Sequence, residues 1–177
     1  MNLKQFWTFY PQEDNSFIGF IIHPNSRKLT KLNRVLVYGK KKQYFEGHEH
    51  FLKFLSTIFV VHTTITDDVE YAVKNGFANH KNLSPEDFNE LLSSVKVFVG
   101  LGFPYEGPSP VEALESGAYF LNPVLDPPVG RSEERKSDYI RDFFNDKPTF
   151  RRLHYQVPYL STLNTSLVIN AELQVKW

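Results

Sequence analysis

A glycine-rich segment in the middle of the chain has the residue types and spacing that suit an anionic ligand. The run 97–99 is β-branched and aromatic, which predicts a short buried strand, and Gly102 and Gly107 in the following loop let the backbone approach a ligand closely. Ser109 to Glu112 matches a capping box, with Ser109 as the N-cap and Glu112 at the third helical position. Free N–H groups at a helix start attract negative charge, so this junction predicts a phosphate site.

Two carboxylates in this segment have different candidate roles. Glu112 can bond back to the backbone N–H of Ser109, as the capping box requires, or it can accept hydrogen bonds from the ribose hydroxyls of a nucleotide. Glu106 lies in the loop itself, where its burial would be hard to explain without a ligand. The residue pattern alone leaves both interpretations of Glu112 open.

The rest of the chain alternates strands and helices in a way that positions such a junction. Ser84 is predicted to cap a helix, with Asp87 at the capping-box position. Strands separated by helices predict an α/β, Rossmann-like fold with a doubly wound parallel sheet. Ligands in such sheets bind beyond the carboxyl ends of the strands, and Gly39 and Lys40 are predicted to lie there. The run of three lysines that begins at Lys40 is also typical of a solvated loop. Strands are predicted at 17–22, 35–38, 60–65, 97–99 and 119–121, and helices at 48–58, after Ser84 and from Ser109 to Gly117.

Six segments, in order along the chain, carry a resemblance to a known family. GLGFPYEGPSPVEAL resembles the donor-site segment of the N-acetylglucosaminyltransferase V family, the α-1,6-mannosylglycoprotein 6-β-N-acetylglucosaminyltransferases that branch N-glycans. The resemblance covers most of the chain, from about Phe17 to about Tyr159, and fades after Tyr159. The other five segments are DNSFIGFII, LVYGK, FVVHTTI, FLNP and DFFNDKPTFRRL.

The resemblance implies the donor-binding half of a GT-B-type glycosyltransferase. Such an enzyme transfers N-acetylglucosamine from UDP-GlcNAc in β-1,6 linkage to mannose of N-glycans, with inversion. The resemblance favours the ribose role for Glu112 and implies that Lys147 faces the donor diphosphate, whereas a lone lysine there is usually just solvated. Phe103 or Tyr105 could stack on uracil or on the sugar, or pack the loop against the sheet. The implied donor contacts are Gly39, Lys40, Gly102, Phe103, Tyr105, Glu106, Gly107, Ser109, Glu112 and Lys147.

The resemblance also implies what these 177 residues lack. The family's catalytic base belongs to an acceptor-side region outside this chain, and its members are membrane-anchored enzymes of the Golgi lumen. The isolated chain is therefore expected to be incomplete and inactive. A non-catalytic nucleotide-sugar-binding fragment is the leading alternative. An unrelated Rossmann-like domain is the third interpretation, since a glycine-rich loop before a helix is weak evidence for a particular family by itself.

Composition narrows the range of partners. Twenty basic and twenty acidic side chains cancel, which argues against a nucleic-acid function, and the absence of cysteine removes thiolate chemistry. The acidic cluster 67–70 is interpreted as a solvated polar connection, and no Asp-x-Asp pair stands out, which predicts metal-independent binding without a cofactor. No signal peptide or membrane segment is recognised. We expect one nucleotide-sugar-binding domain at 1–160 and a divergent tail at 161–177.

Overall fold

The chain folds into an open α/β sheet, seen here in a computed structural model. The structure describes residue 22 and residues 30–101, 107–129, 153–155, 157, 160–161 and 165–172. A short 3-10 helix at Lys42–Tyr44 follows the first strand. The strands and helices are β1 (Arg34–Tyr38), α1 (Glu49–Ile58), β2 (Val60–Thr63), α2 (Val69–Lys74), β3 (Ala78–Asn79), α3 (Pro85–Ser94), β4 (Val97–Gly100), α4 (Ser109–Glu115), β5 (Tyr119–Val129), β6 (Leu153–Tyr155) and β7 (Val168–Ala171).

The sheet is parallel around a central β1. Strand β1 pairs with β2 on one side and β4 on the other, β3 lies outside β2, and β5 lies outside β4, all in parallel. Strand β5 then pairs in parallel with β7 along 120–123 and in antiparallel with β6 further along its length. The predicted α/β fold with a parallel, doubly wound sheet is confirmed, with β6 as the antiparallel strand among those described.

Both faces of the sheet are covered, which explains the apolar runs in the sequence. Val35 and Val37 of β1 are fully buried in one core cluster together with Leu52 of α1. Leu36, between them, points to the opposite face and packs in a second cluster with Leu92 of α3. Because successive side chains of a strand point to opposite faces, a central strand covered on both sides must be apolar throughout.

The start of α3 follows the capping-box pattern in the sequence. The hydroxyl oxygen of Ser84 accepts a hydrogen bond from the backbone N–H of Asp87 at 3.1 Å and donates one to the Asp87 carboxylate at 2.8 Å. Pro85 occupies the first helical position. The Ser84 hydroxyl therefore caps α3, which confirms the predicted N-cap, while the Asp87 carboxylate bonds to that hydroxyl.

A second helix begins where the sequence predicted only a polar connection. The carboxylate of Asp68 accepts a hydrogen bond from the backbone N–H of Tyr71 at 2.9 Å and so caps α2. The interpretation of 67–70 as a mere solvated turn was therefore wrong. Ala72 is the buried residue of this six-residue helix, and so short an element shows little helical periodicity in the sequence.

The far end of the sheet includes residues beyond 160. Asn122 of β5 is fully buried, and its side-chain amide donates to Asn170 of β7 at 3.0 Å. The same side chain accepts a hydrogen bond from the backbone N–H of Val157 at 3.0 Å. Strand β7 thus joins the same sheet as β1, while the division at residue 160 stays a prediction.

The strand predicted at 17–22 lies outside the described residues apart from residue 22. None of the helices in the described ranges is long and apolar enough to cross a membrane.

Candidate functional site

The site predicted from the sequence lies at the point where the order of the strands reverses, between β1 and β4. From β1 the chain proceeds outward to β2 and β3, then returns to place β4 on the other side of β1. The carboxyl ends of β1 and β4 are therefore neighbours, with Tyr38 opposite Gly100. Helices that leave these two strands cover opposite faces, which opens a crevice between them, and ligands of open α/β sheets bind in such crevices.

Gly39, at the exit of β1, has a packing reason to lack a side chain. A Cβ atom added there would lie 2.9 Å from Cε2 of Phe45 and 3.2 Å from the carbonyl oxygen of Leu101. Phe45 is fully buried, so its ring has little room to move. Beside this contact, the backbone N–H of Leu101 donates to the carbonyl of Tyr38 at 2.9 Å. Gly39 therefore lets the segments after β1 and β4 approach each other at the mouth of the crevice.

The segment after β1 is also bound to the segment after β2. The carbonyl of Lys40 accepts hydrogen bonds from both the backbone N–H and the hydroxyl of Thr66, each at 2.9 Å. The hydroxyl of Thr64 donates to the carbonyl of Gly39 at 3.3 Å. The backbone of Lys40 is thus fixed at the crevice, while its side chain is exposed.

The last of the three lysines after β1 has a structural partner. The ammonium group of Lys42 lies 3.1 Å from the carboxylate of Asp68 and 5.7 Å from the ring centre of Tyr71. The Asp68 carboxylate holds the pKa of Lys42 above its ordinary value, first through a hydrogen bond and then through its charge. Lys42 is therefore engaged with the start of α2.

Helix α4 begins one residue earlier than the capping box predicted. Pro108 occupies the N-cap position, and its carbonyl accepts hydrogen bonds from the backbone N–H groups of Val111 and Glu112 at 2.9 and 3.1 Å. The prediction of Ser109 as the N-cap was wrong, since Ser109 is the first helical residue and Glu112 the fourth. Pro108 already has helical dihedral angles, φ −73° and ψ −27°, which the proline ring favours. Because Glu112 is not at the third helical position, the pattern no longer supports a capping role for it.

The other end of α4 is as predicted. The helix ends before Gly117, which has φ 78°.

The side chains of Tyr38, Ser109 and Glu112 form a group at the mouth of the crevice, which we call the Tyr38–Ser109–Glu112 cluster. Burial raises the pKa of the Tyr38 phenol, hydrogen bonding with the nearby Ser109 hydroxyl lowers this pKa, and the negative charge of Glu112 raises it again. Glu112 itself is half-buried, and burial raises the pKa of its carboxyl group.

The carboxylate of Glu112 is a hydrogen-bond acceptor for which the described part of the chain supplies no donor. Among the residues that the structure describes, none donates a hydrogen bond to its carboxylate or pairs with it as a cation. A half-buried carboxylate without such a partner is costly, and a ligand hydroxyl in the crevice can supply the hydrogen bond. Tyr38 was not among the residues singled out from the sequence. Its place as the last residue of a strand, directly before Gly39 in LVYGK, is the signal that could have identified it.

Five of the ten predicted donor contacts lie in the described part of the chain. Gly39, Lys40, Ser109 and Glu112 border the crevice as given above, and Gly107 lies half-buried just before α4. The structure therefore brings residues that are far apart in the sequence to the ends of two adjacent strands. The other five lie outside the described residues: Gly102, Phe103, Tyr105, Glu106 and Lys147. No cluster of three or more possible metal ligands occurs within the described ranges.

Comparison with known proteins assigns this chain to a family. The family described as "Glycosyltransferase family 18" matches residues 1–175. The human protein named alpha-1,6-mannosylglycoprotein 6-beta-N-acetylglucosaminyltransferase A is 40% identical over 168 residues, which cover 90% of this chain and 22% of the human protein. Its human B counterpart is 36% identical over 171 residues, covering 90% of this chain and 21% of that protein. The Caenorhabditis elegans enzyme is 34% identical over 184 residues, covering 98% of this chain and 26% of its own length.

These comparisons confirm the resemblance inferred from the sequence motifs. They also set its extent, since the chain spans about a fifth to a quarter of the length of the curated relatives it matches.

Proposed function

This chain belongs to glycosyltransferase family 18, and we propose that it is the donor-binding part of an N-acetylglucosaminyltransferase that uses UDP-GlcNAc. The observation that carries this proposal is the half-buried Glu112 at the switch point between β1 and β4, without a described partner. Doubly wound sheets bind nucleotides at this position and often hold the ribose with an acidic side chain. The relatives' names add that those proteins transfer N-acetylglucosamine.

In the proposed complex, Glu112 accepts hydrogen bonds from the ribose hydroxyls. Lys147 places a fixed positive charge by the diphosphate, where negative charge develops as the glycosidic bond breaks, so that no metal ion is required. Gly39 and Lys40 line the opposite side of the crevice, since the contact of Gly39 with Phe45 and the bonds from Thr66 fix their backbone there. Gly102, Phe103, Tyr105, Glu106 and Gly107 complete the donor site.

For the complete enzyme we propose transfer in β-1,6 linkage to a mannose of N-glycans on glycoproteins, in the Golgi lumen. A carboxylate base removes the proton from the acceptor hydroxyl, whose oxygen attacks the anomeric carbon as UDP departs from the opposite face. The configuration at that carbon is thereby inverted. We propose that the base and the acceptor site belong to the parts of the relatives that this chain does not match.

Calorimetric titration of the purified chain tests the donor site. We expect binding of UDP-GlcNAc, weaker binding of UDP-GalNAc and no detectable binding of ADP-glucose, and we expect the affinity for UDP to survive EDTA. Equal affinity for UDP-GlcNAc and ADP-glucose, or no binding of either, would contradict the proposal.

A non-catalytic nucleotide-sugar-binding role is the second candidate, favoured by the small share of the relatives that the chain spans. Orientation of two substrates contributes roughly 7 to 11 kcal/mol to lowering a barrier, and a donor site alone does not supply it. We therefore expect the isolated chain to bind UDP-GlcNAc and to transfer nothing to a biantennary glycan. Transfer from radiolabelled donor at about one turnover per second would place the base within this chain, with Glu106 as the first residue to test.

A further inference from the structure

Two threonines after β2 orient the backbone that leaves β1. The hydroxyl of Thr64, which is buried, donates to the carbonyl of Gly39 at 3.3 Å. The backbone N–H and the hydroxyl of Thr66 both donate to the carbonyl of Lys40, each at 2.9 Å. The carbonyl groups of two consecutive residues therefore both point toward the segment that follows β2.

The planarity of the peptide group then sets the direction of two backbone N–H groups. In a trans peptide, the N–H of one residue points opposite to the carbonyl of the residue before it. The N–H groups of Lys40 and Lys41 therefore point away from the segment that follows β2. Because β2 and β4 lie on opposite sides of β1, these two N–H groups point toward the segment after β4, across the crevice.

These two N–H groups have no acceptor in the part of the chain that the structure describes. No described residue accepts a hydrogen bond from the backbone N–H of Lys40 or Lys41, whereas the next N–H, that of Lys42, donates to the Asp67 carboxylate at 2.8 Å. The side chains of Lys40 and Lys41 are both exposed, so each adds a positive charge at this edge of the sheet. Successive backbone N–H groups that point the same way form a concavity that suits an anion.

We propose that the backbone N–H groups of Lys40 and Lys41 bind the diphosphate of the donor, and that Thr64 and Thr66 are the positioning residues that orient them. This inference rests on the proposed function, because it takes a nucleoside diphosphate as the ligand. It adds a diphosphate contact on the β1 side of the crevice, made by main-chain atoms.

Calorimetric titration with UDP and with uridine tests the inference, since only UDP carries the diphosphate. The variant Thr64→Val/Thr66→Val keeps the shape of both side chains and removes both hydroxyls. We expect its affinity for UDP to fall about tenfold and its affinity for uridine to stay within about twofold, because two hydrogen bonds that hold the peptide groups are lost. Thr57→Val is the matched control, since that hydroxyl donates to the Phe54 carbonyl within α1 at 2.7 Å, and it should change neither affinity.

Three further variants separate orientation of the backbone from stability and from side-chain charge. Thr64→Ser/Thr66→Ser restores both hydroxyls and should recover most of the UDP affinity. Thr66 is exposed, so Thr66→Val alone should fold even if the double variant does not, and we expect it to weaken UDP about threefold. Lys40→Met removes the charge but keeps the N–H, so the loss caused by the two valines should be as large in this background as in wild type.

The outcomes that contradict the inference differ from those that contradict the donor site. Equal losses for UDP and uridine would indicate a general effect on the fold and would overturn the inference. Wild-type UDP affinity in a folded valine variant, or a loss that disappears in the Lys40→Met background, would overturn it as well. In each of these cases the donor-site proposal stands, whereas absence of any UDP binding by wild type would overturn the donor-site proposal itself.

Discussion

His62 and His80 form a stacked, hydrogen-bonded pair at the β3 side of the sheet. Nδ1 of His62 lies 2.7 Å from Nε2 of His80, and the ring centres are 4.9 Å apart with 12° between the planes. His62 is 6% exposed, and its Nε2 is buried without a partner among the described residues. One ring can donate and the other accept only while a nitrogen of the pair is unprotonated. The pair therefore favours neutral imidazole.

This pair predicts a loss of stability in acid. Burial, then the nearby His80, then the charge of Arg34 lower the pKa of His62 from 6.5 to about 4. Since the folded pKa is depressed, the unfolded state binds protons first, so the full contribution of the pair is present above pH 6.5 and is lost as the pH falls toward 4. We expect His62→Phe to reduce the pH dependence of the unfolding free energy by about 2 kcal/mol over this interval.

Urea unfolding at a series of pH values measures the effect. His50→Gln, at an exposed histidine of α1, serves as the control and should reproduce the wild-type dependence. An identical slope for wild type and His62→Phe would show that other groups cause the acid sensitivity.

Gly39→Ala should be destabilising and should also weaken donor binding. The added methyl group would lie 2.9 Å from the ring of Phe45, so the ring or the segment after β1 must shift. Overpacking of this kind costs about 1 to 3 kcal/mol, measurable by urea unfolding. Phe45→Leu in the same protein makes room for the methyl group. The double variant should therefore recover part of the loss relative to the sum of the single changes, and strictly additive effects would refute this contact as the cause.

Glu112→Gln should weaken UDP binding by about 1 to 3 kcal/mol, the range for a hydrogen bond to a charged group. The amide keeps the size of the carboxylate but loses the charge and one acceptor oxygen. Glu115→Gln is the matched control on the same helix, at an exposed position, and should leave the dissociation constant unchanged. An unaltered UDP affinity in a folded Glu112→Gln protein would exclude the ribose contact.

Lys147→Ala should weaken UDP more than uridine, because only UDP carries the diphosphate that the lysine is proposed to face. Direct attraction between opposite charges accounts for the difference, so it should shrink as salt is raised. Lys74→Ala, at the exposed end of α2, provides the comparison. Equal losses for UDP and uridine would remove Lys147 from the diphosphate site, and a strict requirement for manganese would contradict the metal-independent account.

Local signals in the sequence were sufficient for most elements. The apolar runs of β1, β2 and β4, the helical spacing of α1 and the Ser84 cap of α3 each depend on neighbours within a few residues. Propensity and capping act over that distance, so they can be read without the fold. The alternation of these elements was enough to predict a doubly wound sheet, and the motif GLGFPYEGPSPVEAL was enough to identify the family.

Contacts between distant segments were decided only by the tertiary structure. The start of α4 shows this: the local pattern placed Ser109 at the N-cap, whereas Pro108 takes that position and Ser109 lies near Tyr38, seventy-one residues away by number. The approach of Gly39 to Phe45 and Leu101, and the pairing of His62 with His80, depend likewise on strand register and on how the helices pack. Register brings together residues whose separation in the chain carries no periodic signal, which is why the composition of the crevice required the folded chain.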